Sequence, residues 1–297
     1  MATNNEDARS GFNVKSLLQT FQRSGIWIIF IALVVFATIL SPKFLTYKNI
    51  FNILRQISIL GVLAVGMTFV IISNGIDLSD YEPQAYKSFN DFFTRKIKPS
   101  ARPLPKDKNV LISPSDGKVT AYEIDKVNGF VIKNSVYSVK SLLRDQKLAK
   151  RFEDGYAVII RLTPDDYHRY CYAATGVKSH DRTIKGVLST VNPVANEYVP
   201  VYKENSRNYC LIRTENFGDI VQMEVGALLV GRITNAHPYG RRTVLRGEEK
   251  GYFEFGGSTI VLLLEKDKVE LCSDLLENTR EGFETKLRQG EAVGYKK

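Results

Sequence analysis

The chain has 297 residues, 44% hydrophobic and 25% charged, the balance of one or two folded domains and not of a disordered chain. A formal charge of +9 suits an anionic partner, and with no zinc-knuckle spacing or basic, aromatic-interleaved run, an acidic membrane surface is favoured over nucleic acid. The three cysteines, Cys171, Cys210 and Cys272, are odd in number, far apart and never in a C-x-x-C, which argues against a disulfide framework or a structural zinc and for a reducing compartment.

Two stretches near the start carry no charge: Ser24 to Pro42 (SGIWIIFIALVVFATILSP) and Gln56 to Ile76 (QISILGVLAVGMTFVIISNGI). Each is close to the ~20 residues a helix needs to cross a bilayer core. The first starts too late for a signal peptide and a second follows, so residues 1–79 are expected to form a two-helix transmembrane hairpin. Two spans put both ends on one side, and the reducing character of the rest favours the cytoplasmic face of the cell membrane. Lysines and arginines flank both spans, so the positive-inside rule gives no clean orientation. The strings ILSPKFLTYKNIFNILRQ and LAVGMTFVIISNGIDLS resemble the start of a ribose-type ABC transporter permease, a likeness that stops at about Ser79.

From Tyr81 onward the chain is polar and strand-rich. AYKSFNDFFTRK reads as a short amphipathic helix, with Ser88 and Asp91 spaced as a capping box. ARPLPKDKN is a proline-marked connection. Strand-type runs follow: YAVIIRL, NYCLIRTE, DIVQMEVGALLVGRIT and STIVLLLE, separated by Gly and Asn-Pro turns.

Four stretches carry the chemistry: SFNDFFTR, SPSDGKV, TPDDYHRY and EFGGSTIVLL. Taken singly they are weak, since GGST is an ordinary hairpin turn and Ser-Asp-Gly an ordinary turn before a strand. In this order they resemble the phosphatidylserine decarboxylase proenzymes. NPVANEY, YKENSRNY and MEVGALLVGRIT also fit, particularly the branch found in anaerobic Gram-positive bacteria, and the likeness covers about residues 76–297. The resemblance implies an α+β fold, mainly antiparallel β, for residues 80–297. It also implies an enzyme that cuts its own chain between Gly257 and Ser258, turns Ser258 into a pyruvoyl group, and decarboxylates phosphatidylserine to phosphatidylethanolamine. The two pieces would stay associated.

The residues can support that chemistry. The Ser258 hydroxyl can attack the Gly257 carbonyl, which has no Cβ to shield it, and turn the amide into an ester. β-Elimination and hydrolysis with loss of ammonia then leave the pyruvoyl, an electron sink of the kind pyridoxal phosphate provides elsewhere. By the resemblance His168 is the base for Ser258, and Asp116 orients its imidazole. Many relatives carry a second histidine where this chain has Cys171. His168 then does both jobs or Cys171 takes one; His180 and His237 lie outside the matched stretches. Two rivals stay open: a transporter component, and a membrane protein with a decarboxylase fold that no longer processes. So does a homo-oligomer. No metal is expected.

Overall fold

The computed structural model describes residues 31–58, 78–126, 129–132, 135–163, 165–190, 200–227, 232–254 and 258–297. The chain divides into two compact units, Met1–Gly75 and Ile76–Lys297. In the first, residues 31–40 and 47–58 are helical. They are joined by a turn in which the Phe44 N–H donates to the Ser41 carbonyl at 2.9 Å. Ile31, Phe36, Ile39, Leu40, Phe51 and Ile57 are exposed there. Among the described residues no helix is long and apolar enough to cross a membrane. The expected span Ser24–Pro42 lies partly, and Gln56–Ile76 almost wholly, outside the described residues.

The second unit is mainly antiparallel β with a few short helices. Its described strands are β1 (Val110–Ile112), β2 (Gly117–Glu123), β3 (Gly129–Ile132), β4 (Ser135–Ser138), β5 (Tyr156–Leu162), β6 (Arg169–Cys171), β7 (Gly176–Lys178), β8 (Arg182–Ile184), β9 (Arg207–Arg213), β10 (Asp219–Gly226), β11 (Ile233–Asn235), β12 (Arg242–Val244), β13 (Glu249–Phe253), β14 (Ser258–Leu264), β15 (Val269–Leu271), β16 (Thr285–Leu287) and β17 (Ala292–Lys296). Nine of them make one sheet, in the order β12-β7-β9-β10-β14-β5-β2-β16 with β8 also on β9. Two three-stranded sheets, β11-β13-β6 and β1-β17-β15, and the hairpin β3-β4 complete the set.

β14 shows why the sequence folds this way. All seven residues of STIVLLL are buried. Its Val261 and Leu263 pack on one side with Tyr137, Phe152 and Leu142. Its Ile260, Leu262 and Leu264 pack on the other with Tyr170, Phe253 and Leu275. A strand covered on both faces needs a continuous apolar run and not alternation.

The expected helix is real but short, Phe89–Phe93, with the Ser88 side chain accepting from the Asp91 N–H. Asp91 Oδ2 in turn accepts from the Lys87 N–H at 3.0 Å, one residue before the Ser88 N–H that a regular capping box would engage. The run DIVQMEVGALLVGRIT is not one strand: β10 ends at Gly226 and β11 begins at Ile233.

Candidate active site

Ser258 is the first residue of β14, central in the large sheet, and pairs directly with Leu162 of β5 and Gly226 of β10. Its side chain is fully buried, and its hydroxyl has no hydrogen-bond partner. A buried hydroxyl left unpaired costs about 1–3 kcal/mol, so the position is poorly explained by structure alone. Period-2 alternation puts Ser258 on the face of Ile260 and Leu262, among apolar neighbours. Phe255, Gly256 and Gly257 lie outside the described residues.

His168 comes to the same corner by two routes. Leu162, opposite Ser258, ends β5, and the chain reaches His168 six residues later, just before β6. Phe253 ends β13, five residues before Ser258, and donates its N–H to the His168 carbonyl at 3.0 Å. The imidazole is fully buried and packs on Phe93 with ring centroids 4.0 Å apart. Its Nδ1 lies 2.9 Å from the Asp166 main-chain carbonyl. A carbonyl only accepts, so Nδ1 carries a proton, and in the neutral ring the lone pair is on Nε2. The Asp166 carboxylate in turn accepts from the Thr163 N–H at 2.7 Å and hydroxyl at 2.8 Å, which sets the loop. Burial pushes the Asp166 carboxyl above the ordinary aspartate value, against the pull of these two bonds.

Asp116 is buried nearby, but its described hydrogen bonds go to other groups than the imidazole. Arg102 holds it through Nε at 3.0 Å and Nη2 at 2.7 Å, and the Gln289 N–H donates to it at 2.7 Å. The Gln289 side chain donates to the Pro114 and Arg169 carbonyls at 3.0 and 3.3 Å, tying the Asp116 turn to the strand that follows His168. Gly117 is required because a Cβ there would stand 2.9 Å from the Arg161 carbonyl oxygen of β5. Arg102 also reaches Asp80 at 3.1 Å. Burial works against its charge, but these two carboxylates outweigh that and raise its pKa.

Cys171 stands on β6 in a small apolar cluster with Val110 and Ile112. Burial pushes its thiol up to about 12. His180 packs its ring 5.6 Å from that of Tyr239. A cleft lined by Leu104, Lys106, Phe217 and Arg246 includes none of these residues.

Beside the corner lies a buried charged network that the sequence reading missed. Glu224 Oε2 accepts from Lys250 Nζ at 2.6 Å, and Lys178 Nζ donates to Asp181 Oδ1 at 2.7 Å and to the His237 carbonyl. Asn235 bridges Asp181 at 2.7 Å and Glu224 at 3.4 Å. Burial pushes the Glu224 carboxyl up to about 7, with Lys250 pulling the other way. The alternation Ile220, Gln222, Glu224 looks like a solvent-facing edge, yet every residue of β10 is buried. Only the packing of the β11-β13-β6 sheet explains it.

A family model described as phosphatidylserine decarboxylase matches residues 89–295. The phosphatidylserine decarboxylase proenzyme 2 of Clostridium acetobutylicum is 48% identical over 219 residues, 74% of each chain. The phosphatidylserine decarboxylase proenzyme of Clostridium botulinum strain Alaska E43 is 44% identical over 213 residues, 71% of this chain and 72% of that protein. That of Clostridium perfringens strain SM101 is 44% identical over 215 residues, with the same coverage of both chains. These matches lend no support to the permease-like reading of the first 79 residues. The family match runs over most of the chain from residue 89 onward, and the chain belongs to the phosphatidylserine decarboxylase family.

Proposed function

We propose that this chain is a self-processing, pyruvoyl-dependent phosphatidylserine decarboxylase, releasing phosphatidylethanolamine and CO2. The observation that carries the reading is the buried, unpartnered Ser258 hydroxyl at the corner where His168 presents a basic Nε2. His168 Nε2 takes the Ser258 proton as Oγ attacks the Gly257 carbonyl carbon. The amide C–N bond breaks, its nitrogen takes up a proton, and an ester joins the two halves. Loss of the Ser258 Cα proton then expels the Gly257 carboxylate. Water releases ammonia from residue 258 and leaves the ketone. Asp116, buttressed by Arg102 and Gln289, supplies negative charge beside the imidazolium that forms. When formed, the pyruvoyl group supplies the electron sink for the pair left as CO2 departs.

The topology accounts for why the pieces would stay together. Downstream of residue 258, β14 lies between β10 and β5, β16 pairs with β2, and β17 pairs with β1. The small piece is thus hydrogen-bonded into sheets of the large one.

In the same reading the apolar stretches 24–42 and 56–76 form a membrane hairpin that holds the catalytic unit against the cytoplasmic face, next to its lipid. The exposed apolar side chains of residues 31–57 support this. Tethering raises the effective concentration of enzyme at the lipid surface.

The test is the intact mass of purified protein. A downstream piece from residue 258, about 4.5 kDa at the mean residue mass of a 33.6 kDa, 297-residue chain, should carry a pyruvoyl N-terminus. Borohydride with phosphatidylserine should label that piece and stop turnover, and Ser258→Ala should stay one chain. Full activity from uncut wild-type protein would end the reading.

A further inference from the structure

Arg95 and Arg207 are the largest fully buried side chains among the described residues, Arg95 only 1% exposed. They meet burial in opposite ways. Arg207 donates from Nε, Nη1 and Nη2 to the carbonyls of Leu142, Asn205 and Ser141 at 2.8, 2.8 and 2.9 Å. Arg95 donates from Nη1 to the Phe92 carbonyl at 3.2 Å, and its guanidinium also interacts with the Tyr81 hydroxyl, favouring that group's ionised form against the effect of burial. Its Nε and Nη2 have no acceptor, and no carboxylate pairs with it among the described residues. The guanidinium is instead clamped between rings, 4.1 Å from the Tyr81 centroid and 4.8 Å from that of Phe92. A buried cation without a counter-anion is expensive to keep.

The free edge is the informative one. Nε and Nη2 are the two donors with which Arg102 grips Asp116 and Arg161 grips Glu284 in this same protein. They form a fork that matches two oxygens of one anion. The position is also informative. Phe93, two residues before Arg95, packs on His168. Tyr81, under the guanidinium, packs on Tyr167 with centroids 6.0 Å apart. The Thr94 carbonyl accepts from Arg169 Nε at 2.7 Å. The clamp is therefore latched to both neighbours of the candidate base.

We propose that Arg95 receives the phosphodiester of the phospholipid headgroup, which makes it a substrate-binding residue of the proposed decarboxylase. This rests on that reading of the site. The headgroup offers two anions, and the chemistry separates them. A guanidinium on the carboxylate would stabilise the charge that must leave as CO2 and so oppose the reaction. The phosphodiester keeps its charge from substrate to product, so holding it aids binding without resisting the chemical step.

The experiment uses full-length protein in detergent with short-chain phosphatidylserine. Arg95→Met should be cut into two pieces like wild type, with KM raised about ten- to a hundredfold and kcat within about threefold, the signature of lost uniform binding. Arg95→Lys should recover part of the KM. Glycerophosphocholine carries the phosphodiester without a carboxylate or a primary amine. It should inhibit wild type competitively, and the inhibition should vanish in Arg95→Met, while inhibition by free serine is unchanged. An unaltered KM overturns the proposal, as does loss of serine inhibition with glycerophosphocholine inhibition retained. If neither variant is processed, wild type decides alone: competitive inhibition by glycerophosphocholine supports the phosphodiester site, and its absence overturns it. Wild-type protein that never forms two pieces would instead remove the reading beneath the inference.

Discussion

His168→Ala and Cys171→Ala, made separately, should part cleanly in self-cleavage. The Cys171 thiol, pushed up to about 12 by burial, is almost wholly protonated near neutrality. At pH 7.5 a group of that pKa is ionised to roughly three parts in 10⁵, so it offers next to no base. In His168 the Asp166 carbonyl 2.9 Å away holds a proton on Nδ1, so in the neutral ring the lone pair that can accept the Ser258 proton is on Nε2. Losing a general base costs about 10²–10⁴ in rate. That is about 2.7–5.4 kcal/mol of barrier at ~1.36 kcal/mol per decade. A maturation complete in minutes would then take hours to weeks. Cys171→Ala removes one sulfur from a small cluster with Val110 and Ile112, which should cost about 1 kcal/mol of stability and leave the cut intact. The assay is a pulse of synthesis followed by denaturing gels and intact mass, scoring the 33.6 kDa precursor against time at pH 7.5. Normal cutting by His168→Ala together with precursor accumulating in Cys171→Ala would refute the reasoning and return the base to position 171.

Lys250→Met should destabilise the fold by about 3–5 kcal/mol, since it strands the buried Glu224 carboxylate. Melting temperature checks this, and Glu224→Gln added to Lys250→Met should restore most of the loss. Burial raises the Glu224 carboxyl from its ordinary 4.5 to about 7, so the folded state binds more protons than the unfolded state between those values. Its contribution is full below about 4.5 and falls as pH rises to about 7, so the Lys250→Met penalty should be larger at pH 8 than at pH 5; a penalty flat with pH would contradict it. Arg102→Met should slow processing less than His168→Ala, because Gln289 still holds Asp116; equal or greater slowing would make Arg102 part of the cutting step itself. Alkaline carbonate should leave the full-length chain in the membrane pellet, and release of the protein would make the first 79 residues peripheral.

Much of this protein can be read locally. YAVIIRL is β5 to the residue and STIVLLL is β14, because an uninterrupted apolar run can only be satisfied by a strand covered on both faces. Ser88 caps its helix for reasons contained in four consecutive residues. The motif residues Asp116, His168 and Ser258 could be singled out only because the stretches around them, in that order, resemble a known family. Their partners could not. Asp116 is gripped by Arg102 and Gln289, and His168 takes its orientation from a main-chain carbonyl, a bond that leaves no mark in side-chain composition. Glu224 and Lys250 look like solvent-facing charges until a second sheet closes over β10. Arg95 looks like one more basic residue in FFTRKIKP until Tyr81 and Phe92 close around it. Strand runs and caps depend on neighbours within a few positions, where the sequence is explicit. Burial of charge and the choice of hydrogen-bond partner depend on contacts between residues far apart in the chain, and only folding brings those together.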